Sequence, residues 1–234
     1  MPPPDSRPRV LLAWSSGKDS AWALRALRQA GDVEVVALLT TFNQAFDRVA
    51  MHAVRRSLVE AQAEAAGLPL IDVPIPWPCG NDDYEAAMAA ALAEARAKHA
   101  VSHVAFGDLF LEDVREYRES RMRGTGLTPL FPLWGLPTAA LARDMVDGGL
   151  KATTTCIDPR SLDPAFVGRS FDARFLDELP GAVDPCGERG EFHTFAHDGP
   201  MFSKPIPIQL GEVVARDGFV FADLLHFSHS WLPS

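Results

Sequence analysis

The chain has 234 residues, enough to bury a sizeable core in one large or two small units. Hydrophobic residues make up 47% and charged ones 23%, an ordinary balance for a globular protein. With 22 Lys+Arg against 31 Asp+Glu the net charge is −9, which argues against a general nucleic-acid coat or an anionic membrane surface as partner.

No stretch approaches the roughly 20 consecutive apolar residues that span a bilayer. The first eight residues are Pro-rich and polar, without the apolar centre of a secretory signal. Cys79, Cys156 and Cys186 are odd in number and widely spaced, so a disulfide framework or closed zinc site is not expected. These features suit the reducing, ATP-rich cytoplasm.

Residues 10–13 form a short apolar run that breaks into Trp14-Ser15-Ser16-Gly17-Lys18-Asp19-Ser20 and then into a helical pattern carrying Trp22, Leu24 and Leu27. Strand, turn, helix is the reading. The first N–H groups of a helix lack internal partners and sit at the positive end of its dipole, so such a turn is an anion site. Gly17 allows close backbone approach, Lys18 brings a mobile ammonium, and Ser15, Ser16 and Ser20 add hydroxyls. Asp19 suits a helix cap or a cation shared with phosphates. The common GxxxxGK[ST] loop is absent, because no Gly stands at the needed spacing before Gly17. The stretch resembles SGGxDS, the PP-loop of ATP pyrophosphatases, with Ser16 replacing a Gly; ordinary dihedrals are expected of that Ser.

Downstream, residues 33–41 read as a buried strand, 49–66 as a helix stopped by Gly67, and 68–73 as a third strand. Residues 74–80 hold too many prolines for regular structure. An Ala-rich helix over 82–98 and a strand over 101–106 follow, the strand ending at Gly107-Asp108. Ligands of open α/β sheets collect beyond the carboxyl ends of the strands, which places Asp108 opposite the first loop. Over 111–123 a helix carries Arg115, Arg118 and Arg121; Arg115 reads as self-paired surface charge, whereas Arg118 and Arg121 suit a phosphate or carboxylate clamp. Residues 129–134 are a fifth apolar segment, with Gly135 a hinge candidate.

From Leu136 onward the pattern becomes mixed α+β, giving units 1–135 and 136–234. A Thr-capped helix over 138–146, a strand over 150–157 and a helix within 164–179 are expected. Strands over 191–196 and 202–210 are joined by a turn at 197–200, and a hairpin closes at Asp217-Gly218. Within this part, residues 184–194 pack Gly187, Glu188, Gly190, Glu191, His193 and Thr194 together. A turn with unusual dihedrals is expected there, with Phe192 inward and Glu191 and His193 outward.

Taken together, SSGKDS, Arg48-Val49-Ala50-Met51-His52, Gly107-Asp108, the Arg118/Arg121 helix, Pro132-Leu133-Trp134 and the stretch 187–194 resemble the diphthine–ammonia ligase family, a branch of the ATP pyrophosphatases. That resemblance implies an α/β fold: a HUP-type, Rossmann-like parallel sheet in the order 3-2-1-4-5, with a C-terminal α+β half supplying the substrate pocket. It implies an enzyme that adenylates a carboxylate with ATP, releases pyrophosphate and transfers ammonia to form an amide. Its named acceptor is protein-borne diphthine, where the source makes it.

Under this resemblance Ser15, Gly17, Lys18 and Ser20 would hold the phosphates, Ala13, Ser16 and Gly107 would also bind ATP, and backbone at Leu39 and Thr40 would line the adenine side. Asp19 and Asp108 are the magnesium candidates, and Lys18, Asp19, Glu191 and His193 the catalytic ones. His52, Arg118, Arg121, Glu188, Glu191, His193 and Thr194 would orient the acceptor; His52 reads equally well as a core histidine. A homo-oligomer is compatible with the chain. Two other classes fit the loop: an enzyme adenylating a tRNA base or nucleoside, marked by a basic rim, and a nucleotide sensor, which would leave residues 188–194 without a task.

Overall fold

The computed structural model describes residues 7–49 and 54–227. β1 (Arg9–Ala13) alternates its side chains between two faces, Val10 and Leu12 into one core and Leu11 into another, and all three are fully buried. It enters α1 (Lys18–Ala30), whose buried face is Ala21, Trp22, Leu24 and Leu27 and whose end is Gly31 in the left-handed region at φ +69°.

β2 (Glu34–Asn43) lies parallel to β1. β3 (Arg48–Val49) folds back antiparallel on the end of β2, and α2 (Arg56–Ala66) follows, stopped by Gly67 as expected. The helix expected from residue 49 therefore starts at Arg56. Val49 instead donates to the Val54 carbonyl at 2.8 Å, a backbone pairing that helical spacing alone did not reveal. β4 (Leu70–Ile75) runs through Pro74, which was expected to be irregular; β4 is an edge strand, where a missing N–H is tolerated.

α3 (Asn81–His99), β5 (His103–Ala105), α4 (Glu112–Met122) and β6 (Thr128–Leu130) complete the first half. Its parallel strands run β4-β2-β1-β5-β6, the 3-2-1-4-5 order that the family resemblance implies, with β6 at the start of the stretch read as a fifth apolar segment. β1 is thus central, and the direction of winding reverses beside it, where ligands of such sheets bind.

α5 (Thr138–Asp147) takes Thr138 as its first helical residue behind Pro137, so the expected Thr cap is not made. β7 (Lys151–Ile157), a 3₁₀ turn at Pro164–Phe166 and α6 (Ala173–Glu178) lead to β8 (Phe192–Asp198), β9 (Ile208–Arg216) and β10 (Phe219–His226). These strands make an antiparallel sheet in the order β8-β7-β10-β9. The strand expected over 202–210 begins only at Ile208, since Ser203 and Ile206 spend their N–H groups on the Ala65 and His197 carbonyls. Asp217 and Gly218 close the β9–β10 hairpin at φ +52° and +82°, the geometry this dipeptide favours.

One apolar core runs from Val10, Leu12 and Trp14 through Leu141 and Met145 to Phe171, Phe175, Phe192 and Phe195, so it crosses from the first half to the second. Among the described residues no helix is long and apolar enough to cross a membrane.

Candidate active site

The turn between β1 and α1 is anchored from behind by Gln62, a fully buried amide on α2. Gln62 accepts from the Trp14 indole at 2.8 Å and donates to the carbonyls of Ser16, at 2.9 Å, and Ala196, at 2.6 Å. Ala196 on β8 donates its own N–H to the same Ser16 carbonyl at 3.0 Å. Ser16 is held at φ +69°, not in ordinary dihedrals, because the carbonyl is pinned from two sides while the chain turns from strand into helix. Its hydroxyl is buried with no partner among the described residues, where a donor had been expected.

At the start of α1, hydroxyls already cap the first donors. Ser15 Oγ accepts from Gly17 N–H at 3.3 Å, and Thr194 Oγ1, from β8, accepts from Lys18 N–H at 3.1 Å. Ser20 donates to the Gly17 carbonyl at 3.0 Å. Lys18 is not mobile: its buried ammonium donates to both Asp19 oxygens, at 3.0 and 2.8 Å, and to the Cys186 carbonyl. The rings of Phe171 and Phe192 flank it at 5.6 and 5.3 Å. Burial is the largest influence and works to lower the Lys18 pKa, but the charge and hydrogen bonds of Asp19, with Cys186 and Glu188 adding to them, together raise it, and the ammonium stays charged.

Across the cleft, Gly187 and Gly190 adopt φ +68° and +84°, the unusual dihedrals expected of this segment. A side chain at Gly187 would meet the Phe192 carbonyl at 2.8 Å, so only Gly fits. The turn puts Glu188 Oε1 2.7 Å from the Leu109 N–H that donates to it. Burial pushes the Glu188 carboxyl up to about 7, with Asp19 and Asp108 adding to the rise. Burial, with the Lys18 charge, pushes His193 down to about 4, so its ring is neutral. Phe192 is inward as expected, but so is Glu191. Its two oxygens accept the N–H groups of Asp184 and Arg189, each at 3.0 Å, which makes it the organiser of the turn and not an outward-facing group.

These walls enclose a cavity of about 650 Å³. Of the residues expected at the nucleotide, Ala13, Ser15, Gly17, Lys18, Ser20, Leu39 and Gly107 line it. Ser16 and Thr40 do not; the Thr40 hydroxyl donates to the Trp14 carbonyl at 2.8 Å, and alternation along β2 turns Thr41 inward instead. Asp19, Asp108, Arg118, Glu188, His193 and Thr194 also face it, while Glu191 does not. Arg118 pairs with Asp108 at 3.3 Å, whereas Arg121 pairs with Glu85 at 2.6 Å and lines a different cavity. Arg115 pairs with Glu119 at 2.8 Å, as its helical spacing suggested. His52 lies outside the described residues.

Residues 8–129 match the family model of the diphthamide synthase N-terminal domain, and residues 137–223 that of the diphthamide synthase C-terminal domain. The chain belongs to the diphthamide synthase family. Similar curated proteins carry the name diphthine–ammonia ligase: those of Bos taurus and Homo sapiens are each 28% identical over 93% of this chain and 89% of their own length. The protein of that name from Schizosaccharomyces pombe is 27% identical over 88% of this chain but only 37% of its own length.

For a diphthamide synthase family member, the cleft also contains residues that sequence reasoning passed over. Asn43, Trp77, Tyr84 and Cys186 line it. Gln62 stands behind it, and the one available signal for Gln62 was an amide four residues after Leu58, on the buried face of a helix. Among the described residues no cluster of three or more His, Cys, Asp or Glu could hold a metal. Asp19 and Asp108 already face cations, so the donor set fits magnesium only together with phosphate oxygens, the usual mode for that ion.

Proposed function

We propose that this family member is an ATP-dependent ligase that forms an amide from a carboxylate and ammonia. Residues 1–135 would supply the nucleotide side and residues 136–234 the acceptor side. The observation that carries this reading is the direct joining of the anion turn to the Glu188–Thr194 segment. Lys18 donates its backbone N–H to Thr194 and its ammonium to the Cys186 carbonyl, so both lie on one cavity.

In the proposed reaction an acceptor oxygen attacks the α-phosphorus of ATP, the bond to the β-phosphate oxygen breaks, and pyrophosphate leaves. The start of α1 and the Lys18 ammonium meet the charge of that leaving group. Asp19 and Asp108 would hold magnesium with the phosphates, and the ion would neutralise charge on the departing oxygens. Ammonia then attacks the acyl carbon, the C–N bond forms, and AMP departs with the acyl oxygen. Glu188, poised near neutrality, takes the proton the nitrogen must lose. His193, held neutral, orients the acyl group by hydrogen bonding without adding a charge.

The names of the relatives specify diphthine and ammonia, and ammonia is the nitrogen donor proposed here. Cytoplasmic ATP would supply the nucleotide. Incubation with ATP, magnesium, ammonium and a panel of carboxylates, resolving AMP and pyrophosphate from ADP and phosphate, tests the reading. Carboxylate-dependent AMP and pyrophosphate are expected, and ADP as product overturns it.

A further inference from the structure

The two edges of the antiparallel sheet β8-β7-β10-β9 are unlike. β8 is closed by the turn after β1, through the Ala196 N–H on the Ser16 carbonyl, whereas among the described residues the backbone of β9 hydrogen-bonds to β10 alone. β9 is nine residues long, has no Pro or Lys, and leaves Leu210, Val213 and Val214 exposed to 49%, 49% and 39%. A long apolar edge of this kind is a template for another strand. Its one irregularity is a bulge, where Gly211 and Glu212 stand together against Asp223; from Glu212 to Arg216 the alternation is regular.

That alternation puts Glu212, Val214 and Arg216 on one face of the edge. Glu212 has no ion pair among the described residues. Arg216 lies 5.3 Å from the Phe221 ring and faces the adjacent Asp217 at 3.5 Å, but both side chains of that pair are exposed, so the pair is worth little and its arginine is free to exchange partners. When two identical edges pair antiparallel, the register is set by the residue that meets itself, and opposed residues share a face. Centring on Glu212 sets acid against acid, and centring on Arg216 sets base against base. Centring on Val214 sets valine against valine at the axis and Glu212 against Arg216 on both sides of it.

We propose that β9 pairs antiparallel with β9 of a second copy of this chain about a two-fold axis at Val214, giving a homodimer with one continuous sheet. Within each copy His193, Cys156, Phe221 and Val214 are successive cross-strand neighbours, and His193 lines the cleft. Both clefts therefore lie on the same face of the joined sheet. This inference is independent of the amide-forming reading.

Sedimentation equilibrium of the full chain over a concentration series tests it. The parent is expected to reach twice the mass of one chain. Glu212→Arg and Arg216→Glu each place two like-charge pairs across the axis, and each should weaken dimerisation by about tenfold. An equimolar mixture of the two variants, in which acid again meets base at both positions, should regain the dimer, as should the double variant Glu212→Arg/Arg216→Glu. A parent that stays monomeric, whether its β9 amides exchange freely or are covered by another segment of the same chain, overturns the inference. So does a dimer indifferent to the single reversals, or single variants that neither the mixture nor the double reversal rescues.

Discussion

The Thr194 hydroxyl accepts the backbone N–H of Lys18 at 3.1 Å, joining positions 176 residues apart in the chain. A strand of the second half thereby caps the first helix of the first half. A cap of this kind contributes about 1 kcal/mol. Thr194→Val should lower the melting temperature by about 2–4 °C and weaken ATP binding several-fold, and Thr194→Ser should restore both. Calorimetric melting and ATP titration of the three proteins check this, and wild-type affinity in Thr194→Val would show the cap to be dispensable.

Ser16 should be improvable. A non-glycine residue in the left-handed region costs about 1 kcal/mol, and its buried hydroxyl has no partner among the described residues. Ser16→Gly should raise the melting point by a few degrees without changing the nucleotide cleft, which Ser16 does not line. A thermal melt that falls would contradict the strain argument.

Glu188 should make both stability and rate depend on pH. Its ordinary pKa of 4.5 governs the unfolded chain, while burial holds the folded one at about 7. Below 4.5 both states keep the proton; between 4.5 and 7 only the folded state does, so stability falls with rising pH across that window. Glu188→Gln removes this slope, and its melting point should gain on the parent as pH climbs from 4.5 to 7. Amide formation in the parent should rise with a midpoint near 7, as the carboxylate becomes able to accept a proton, and that rise should be missing in the variant.

Glu191 and His193 should separate in their effects. Glu191 Oε1 and Oε2 each accept a buried or half-buried backbone N–H, and bonds to a charged group are worth about 1.5–3 kcal/mol each. Glu191→Ala should therefore destabilise the whole protein, seen as an early denaturant midpoint. His193→Ala, which alters a wall of the cavity, should keep the midpoint and ATP affinity while losing amide product. Matching midpoints for the two variants would remove this division.

Lys18→Ala and Asp19→Ala should each abolish conversion of ATP to AMP, because the pair is one unit: the ammonium donates to both carboxylate oxygens. Radiometric AMP release is the measurement. Retention of more than a tenth of the rate in Lys18→Ala would place the phosphate contact elsewhere.

The parallel sheet was legible because each of its strands is a short apolar run between turn residues, a signal that survives without partners. The turn at 14–20 was legible for the same local reason. What the chain hid is long-range. The amide of Gln62 on a buried helix face is its one local mark, and that mark does not point to the loop 46 residues earlier that Gln62 clasps. Glu191 reads as an outward acid until the backbone N–H groups of Asp184 and Arg189 are seen converging on it. Ser16 defied its expected dihedrals because its carbonyl answers to Ala196, 180 positions on, and local steric preference yields to such a constraint. The helix over 56–66 was placed too early since Val49 pairs with Phe42 of β2 and donates to the Val54 carbonyl, backbone contacts that side-chain periodicity cannot register.

Because β8 clasps the carbonyl of Ser16 and the amide of Lys18, a nascent chain emerging from the ribosome lacks both clasps of its β1–α1 turn until Ala196 has cleared the exit tunnel. Translation order alone therefore leaves any half-made copy without the two bonds that fix the turn we propose for ATP.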